Sequence, residues 1–287
     1  MQEIIAKLRK YEIKIRKAIN AQMRGNYHSI FKGSGLEFDD VRNYHYGDDV
    51  RRIDWNVSAK GHGTFIKVFR EEKEQTVFVL LDVSASQAIG KTDYNKIQLA
   101  KEIAGVLILS AAKENSYVGL ICYSDQKEKY MRPQKNQRHS YEMVLSLFKL
   151  IPKSTQTSLK NLIRFALNII KRKSVIVLIS DFIDDDYLHD LKGLGEKHDL
   201  VLIHVYDERE VNLPTLGILP LHDKESGKTI WQNTSSKAFQ KAYQERFQTT
   251  KETLEDLVTK MNINYLCIST AEDFVPALIK LFKIRNR

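Results

Sequence analysis

Five short, nearly continuous apolar runs separated by helical stretches predict an α/β fold, a mostly parallel sheet with helices on both faces. The runs are apolar on consecutive residues, as strands covered on both sides must be. The segments between them repeat apolar residues at spacings of three and four, which is the helical period. Ahead of the first run lie an N-terminal amphipathic helix and an irregular, partly β appendage.

The first 23 residues place Ile4, Ile5, Leu8, Tyr11, Ile15, Ala18 and Ile19 on one helical face, which should pack on the body of the protein. Gly25, Gly33 and Gly35 end that pattern, and residues 36–70 interleave acids, bases and aromatics without a period. Strands are expected at 76–81 (TVFVLL), 117–123, 174–180, 200–206 and 263–268. Helices are expected at 94–113, 138–149, 159–172, 186–197 and 236–261. Such alternation implies right-handed crossovers. Residues 213–231, with two prolines and two glycines, read as an excursion or hairpin. The expected organisation is an appendage over 1–75 and a sheet domain over 76–287.

A chain of 287 residues with 43% hydrophobic and 28% charged residues belongs with packed globular proteins and not with disordered or fibrous ones. Cys122 and Cys267 are too few for a disulfide framework or a thiolate zinc cluster and read as structural thiols in strands. Charges throughout the first 20 residues exclude a secretory signal there, and no run approaches the roughly 20 apolar residues of a membrane span. The expectation is a cytoplasmic protein, with peripheral membrane association left open. The net charge is +9, with eight Lys or Arg against two Glu in residues 1–32. Lys280, Lys283, Arg285 and Arg287 make the tail basic as well. These charges could meet an anionic polymer or membrane surface, but no aromatic stacking pattern accompanies them, and nucleic acid is not expected as a partner.

In doubly wound sheets, ligands bind beyond the carboxyl ends of the strands. Polar residues cluster at such places: Asp82-Val83-Ser84-Ala85-Ser86, Thr157-Ser158, and Ser180-Asp181. Asp82, Ser84, Ser86, Thr157 and Asp181 are all hard oxygen donors, a set suited to Mg²⁺ and also to Mn²⁺ or Ca²⁺. The hydroxyls would touch the ion, the two acids would hold its waters, and an open position would accept an Asp or Glu from a protein partner. Taken singly, each of these residues could instead cap a helix or make a turn bond.

Asp82-x-Ser84-x-Ser86, with Thr157 75 residues after Asp82 and Asp181 24 residues further on, resembles a von Willebrand factor type A (vWA) domain and its metal-ion-dependent adhesion site. The resemblance implies a Rossmann-like fold, direct metal contacts from Ser84, Ser86 and Thr157, and water-mediated contacts from Asp82 and Asp181. Upstream, Gly35-Leu36-Glu37-Phe38-Asp39-Asp40-Val41-Arg42-Asn43-Tyr44, then Gly47-Asp48-Asp49-Val50-Arg51-Arg52-Ile53-Asp54-Trp55 and Ser58-Ala59-Lys60, resemble the signature of bacterial domain-of-unknown-function family 58. That resemblance implies an adaptor working with a MoxR-type AAA ATPase in chaperone-like assembly.

Within the signature, Glu37, Asp39, Asp48, Asp49 and Asp54 alternate with Arg42, Arg51 and Arg52, beside Tyr44 and Trp55. Such density suits an internal polar network or a partner-binding surface. His45 and His62 lack metal-ligand spacing and read as turn or surface residues. Asp184, Asp185 and Asp186 read as the acidic start of a helix. The leading function is a non-enzymatic, metal-dependent protein interaction module. The alternatives are a hydrolase or phosphatase using Asp82, and anionic binding through the basic helices. Neither a Gly-x-Ser-x-Gly elbow nor a Walker A motif is present.

Overall fold

The computed structural model describes residues 2–22, 36–60, 63–71, 75–88, 90–91, 94–222 and 229–285. The chain divides into two units, Met1–Phe31 with Thr76–Arg287, and Lys32–Gln75. Helix α1 (Gln2–Gln22) thus counts with the sheet, where Leu8 and Ile15 of its apolar stripe are buried, and not with the segment that follows it.

The smaller unit is built on two antiparallel strands, β1 (Leu36–Asn43) and β2 (Phe65–Glu71), with the short helix α2 (Trp55–Ser58) in the connection. The register slips between Phe38 and Asp40, so Asp39 is the extra residue of a bulge. Glu37 pairs by register with Arg70; the side chains of Glu37 and Asp39, like all of His62 and Gly35, lie outside the described residues.

The larger unit begins its sheet with β3 (Thr76–Asp82), followed by the two-residue strands β4 (Gly90–Lys91) and β5 (Tyr94–Asn95) and helix α3 (Lys96–Lys113). Next come β6 (Tyr117–Tyr123), β7 (Lys127–Gln134), α4 (Gln137–Lys149), α5 (Leu159–Ile169), β8 (Val175–Ser180), α6 (Leu188–Lys197) and β9 (Asp199–Tyr206). The short helix α7 (Glu208–Val211), the hairpin β10 (Ile218–His222) and β11 (Thr229–Asn233), helix α8 (Lys237–Met261), β12 (Asn264–Ser269) and α9 (Phe274–Arg285) complete it. The main sheet runs β12-β9-β8-β3-β6-β7, parallel throughout except for β7.

All five expected strands form, as does the expected hairpin. Strand β7 (KEKYMRPQ) was not foreseen, because an edge strand half open to water carries charge and a proline where a central strand carries valine. The C-terminal helix α9 and the one-turn helices were likewise not anticipated.

Strand β3 shows why consecutive residues are apolar. Val77, Val79 and Leu81 face a core formed with α1, α3, α4 and α9, while Phe78 and Leu80 face a second core with α5, α6 and α8. The chain leaves β3 through α3 on one face to reach β6, and returns through α5 on the other face to β8, on the opposite side of β3. The order therefore reverses between β3 and β8, and their following loops diverge there. That crevice is where the architecture offers a binding site.

On the first face, Leu8 of α1 is fully buried, and a Cβ built on Gly105 of α3 would come within 2.7 Å of its Cδ1. Glycine at 105 lets the two helices approach this closely. Tyr11 meets Phe274 edge-on at 5.1 Å, and Lys7 pairs with Glu102 at 2.6 Å. Truncating Leu8 to Ala should lower stability by about 2–5 kcal/mol, measured by urea unfolding.

Candidate functional site

The crevice between β3 and β8 is organised around Asp82, the last residue of β3, which is 1% exposed. Its Oδ1 accepts the backbone N–H of Ser84 at 2.9 Å. Its Oδ2 accepts the Ser180 hydroxyl at 2.7 Å and the Gln87 amide at 3.4 Å. The turn closed by Asp82 continues into a short 3₁₀ helix (Ala85–Ala88), which sets the Ser84 and Ser86 hydroxyl oxygens 3.0 Å apart.

Asp181 follows the end of β8. Its Oδ2 takes the Lys96 ammonium at 2.6 Å and its Oδ1 takes the Ile183 N–H at 3.3 Å, with the Ser86 hydroxyl a further hydrogen-bonding neighbour. Phe182 turns the chain here with φ of 55°, a left-handed backbone that costs a bulky residue about 1–3 kcal/mol. The ring is buried, and the Phe182 N–H bonds the Ser180 hydroxyl at 3.0 Å. One serine oxygen thus links both acids' loops.

Lys96 opens α3 and is fully buried, at a helix end whose dipole disfavours a cation. Two carboxylates hold it there, Asp181 and, at 2.5 Å, Glu210 of α7. Glu210 also accepts the Asp207 N–H at 2.9 Å, completing a capping box, while Asp207 takes the Thr270 hydroxyl at 2.6 Å. A chain of charged and polar groups therefore runs from β3 through β8 to the ends of β9 and β12.

Thr157 stands in the loop before α5, and that loop is tied to the same rim. Ala85 N–H donates to the Thr155 carbonyl and Ser158 N–H to the Ser124 carbonyl, each at 3.1 Å. Ser158 caps α5 through Asn161 N–H at 3.3 Å, and Asp184 accepts the Leu159 N–H at 2.6 Å. Asp184 therefore serves the start of α5, whereas the following helix begins at Leu188 without a side-chain cap.

Burial and the neighbouring Asp181 charge push the Asp82 carboxyl up to about 6. Burial acts on Asp181 in the same sense, but the Lys96 ammonium outweighs it and holds Asp181 below the usual carboxylate range. Lys96 is desolvated too, and its two carboxylates keep it firmly charged. The site thus has one permanently compensated acid and one whose charge is marginal. Cys122, buried on β6, has its thiol pushed up to about 12 by burial, as a structural thiol should.

Among the described residues, no group of three or more His, Cys, Asp or Glu side chains is placed to hold a metal ion. A hydroxyl-based site would not need one. Adjacent ligands of an octahedral ion at about 2.1 Å lie ~3.0 Å apart, the separation of Ser84 Oγ and Ser86 Oγ. Gln87, also fully buried, leaves its Oε1 without a hydrogen-bond partner beside Asp82. Spare acceptor capacity next to an under-compensated carboxylate fits a hydrated hard cation.

In the smaller unit the signature sorts into two kinds of residue. Arg42 grips Asp48 with two parallel bonds of 2.7 and 2.8 Å, and Asp48 also takes the His45 N–H at 2.9 Å. Asp49 accepts from Arg51 N–H, while Asp54 caps α2 and lies 3.6 Å from Lys67. Tyr44, half-buried, donates its N–H to the Thr64 carbonyl at 2.8 Å. By contrast Tyr46, Val50, Arg51, Arg52 and Trp55 project outward, Trp55 71% exposed. The acids and Arg42 build the turn, while Arg51, Arg52, Tyr46 and Trp55 face solvent.

The model of the family described as "Protein of unknown function DUF58" matches residues 40–253. The chain belongs to that family. Among curated relatives of this DUF58 protein, the uncharacterized protein Mb1516 of Mycobacterium bovis is 25% identical over 228 residues, covering 78% of this chain and 72% of its own. MAV169 of Mycobacterium avium is 35% identical over 60 residues, 21% of this chain and 36% of its own. Among solved structures, BatB from Bacteroides thetaiotaomicron is 13% identical with a TM-score of 0.49, over 74% of this chain and 98% of BatB. The SpRpn10 VWA domain is 12% identical with a TM-score of 0.40, over 71% and 93%. The vWA-like fold of the DUF58 chain rests on its own sheet order, with these as likenesses of fold.

Sequence reasoning placed Asp82, Ser84, Ser86, Thr157 and Asp181 at one site; hydrogen bonds join Asp82, Ser84, Ser86 and Asp181 into one network, and Thr157 stands in the loop that Ala85 ties to it. It missed Gln87, Lys96 and Glu210, and it named Ser180 beside Asp181 without foreseeing its bond to Asp82. The Asp207-x-x-Glu210 capping box directly after a strand was a legible signal for Glu210.

Folded Asp82 keeps its proton to about pH 6, whereas an unfolded aspartate loses it near pH ~3.9. The folded state binds more protons between those values, so Asp82 makes stability fall as pH rises through that window, at up to ~1.4 kcal/mol per unit. Asp181, shifted the other way, contributes stability that is lost only below the ordinary carboxylate range. Asp82→Asn should flatten the decline between about pH 4 and pH 6, read from urea unfolding at matched ionic strength.

Proposed function

We propose that this protein is a non-enzymatic interaction module that captures an Asp or Glu of a protein partner through a divalent cation, Mg²⁺ or Mn²⁺, at the crevice between β3 and β8. One observation carries the reading. Both acids of the cluster have their carboxylate oxygens engaged by the protein's own donors, and beside them the Ser84 and Ser86 hydroxyls stand 3.0 Å apart, the spacing of adjacent oxygens around an octahedral ion, with Thr157 in the adjoining loop. Asp82 and Asp181 would then act through the ion's waters. A metal held mainly by neutral oxygens stays strongly electrophilic and supplies a point of attachment for a carboxylate.

The family resemblance directs the search for that partner to a MoxR-type AAA ATPase. The outward-facing Tyr46, Val50, Arg51, Arg52 and Trp55 suit a second contact with a protein, since Trp, Tyr and Arg concentrate binding energy at interfaces. The exposed guanidinium groups of Arg51 and Arg52 suit an acidic counterpart.

The rival reading makes Asp82 the nucleophile of a phosphatase or hydrolase. Lys96 supplies the lysine such enzymes use, but it is bound to Asp181 and Glu210, and Asp82 is buried with both oxygens accepting hydrogen bonds. Anionic binding through the basic helices is weakened by local pairing, since Lys7 and Lys14 of α1 pair with Glu102 and Asp273, and Arg9 stacks on Tyr141.

Capture of a MoxR-type ATPase on the immobilised protein should require Mg²⁺, and Ser86→Ala should remove it while leaving the melting temperature nearly unchanged. Equal capture in chelator would sink the metal reading. Trp55→Ala should weaken the same capture by about 10-fold or more, measured by surface plasmon resonance, with the Mg²⁺ requirement retained.

A further inference from the structure

The least expected group in the larger unit is a fully buried lysine at the first position of a helix, beside a proposed cation site. A lysine there is disfavoured twice, by desolvation and by the helix dipole. A glutamine or methionine would fill the space without either cost. The ammonium must therefore matter for its charge, and its partners say to what. It lies 2.6 Å from Asp181 and 2.5 Å from Glu210, so it neutralises the acid nearest Ser86 and ties it to α7.

We propose that Lys96 is the resident counter-ion of the adhesion-type site, a positioning residue that competes with a divalent cation for the field of Asp181 and Glu210 and so keeps the metal weakly held. This rests on the metal reading above. The charges define the balance. Asp82, Asp181 and Glu210 would together present three negative charges to an ion, and Lys96 cancels one of them. An ion bound by neutral hydroxyls in that reduced field gains when a partner adds its own carboxylate. Metal and partner then reinforce each other, because each supplies charge that the other lacks.

A brace and a counter-ion predict opposite outcomes when the lysine is removed. If Lys96 only props the loops, Lys96→Met loosens the site and weakens metal binding. If it competes, the same change tightens binding, because the opposing charge is gone. The test is titration of the full chain with Mn²⁺ alone, free Mn²⁺ being followed by electron paramagnetic resonance, with thermal unfolding run in parallel. Lys96→Met should bind Mn²⁺ about tenfold tighter or more, and its melting temperature should rise further on Mn²⁺ addition than that of the unaltered protein. Two buried carboxylates without their lysine can compromise folding, so Lys96→Gln, which keeps a hydrogen-bond donor for Asp181 and removes the charge, carries the same expectation. Affinity unchanged or reduced in the folded variants, with the unaltered protein binding Mn²⁺, overturns the counter-ion and spares the metal reading. No binding by any of the proteins overturns both.

Discussion

Two buried carboxylates at the ends of neighbouring strands, each within the other's field, are the constraint around which this molecule is arranged. Asp82 and Asp181 end neighbouring parallel strands, where the winding of the sheet brings two diverging loops together. Neither side chain reaches bulk water, so every hydrogen bond and charge that makes their presence tolerable comes from the protein. Ser180 bridges the loops, the Ser84 N–H closes the first turn, and Lys96 meets the second acid. The left-handed backbone at Phe182 belongs to the same arrangement, since it permits the turn that returns the Ile183 N–H to Asp181.

The fold explains why the crevice lies here. Apolar β3 is covered on both faces, so the only place where its chain can present polar groups is beyond its end. The capping chemistry of the adjoining helices does the rest. Asn95 caps α3 and places Lys96 first in the helix, Ser158 caps α5 beside Thr157, and Asp207 caps α7 so that Glu210 faces the lysine. Local rules of helix initiation therefore deliver polar side chains from three loops to one rim.

Five strands of the main sheet were legible because they are short, nearly continuous apolar runs, and Asp82, Ser84, Ser86 and Asp181 because they stand at or just beyond the ends of two of them. Strand β7 escaped because half-exposed residues follow no apolar rule. Lys96 escaped for a deeper reason: at the start of an amphipathic helix a lysine looks like a solvated one, and only the convergence of β8 and α7 turns it into a buried cation. In the 32–75 unit the alternation of acids and arginines was plain, yet which arginine pairs within the turn, Arg42, and which face outward, Arg51 and Arg52, depends on turn geometry that composition does not encode.

The charged edge strand has a consequence for how crowded this protein can become. Open sheet edges invite copies of a chain to zip together into aggregates. At β7 the outermost hydrogen-bonding row includes Pro133, which has no N–H to offer, and carries Lys127 and Arg132 exposed. A like-charged copy approaching along that border meets repulsion and a gap in the ladder, so the sheet resists polymerising there.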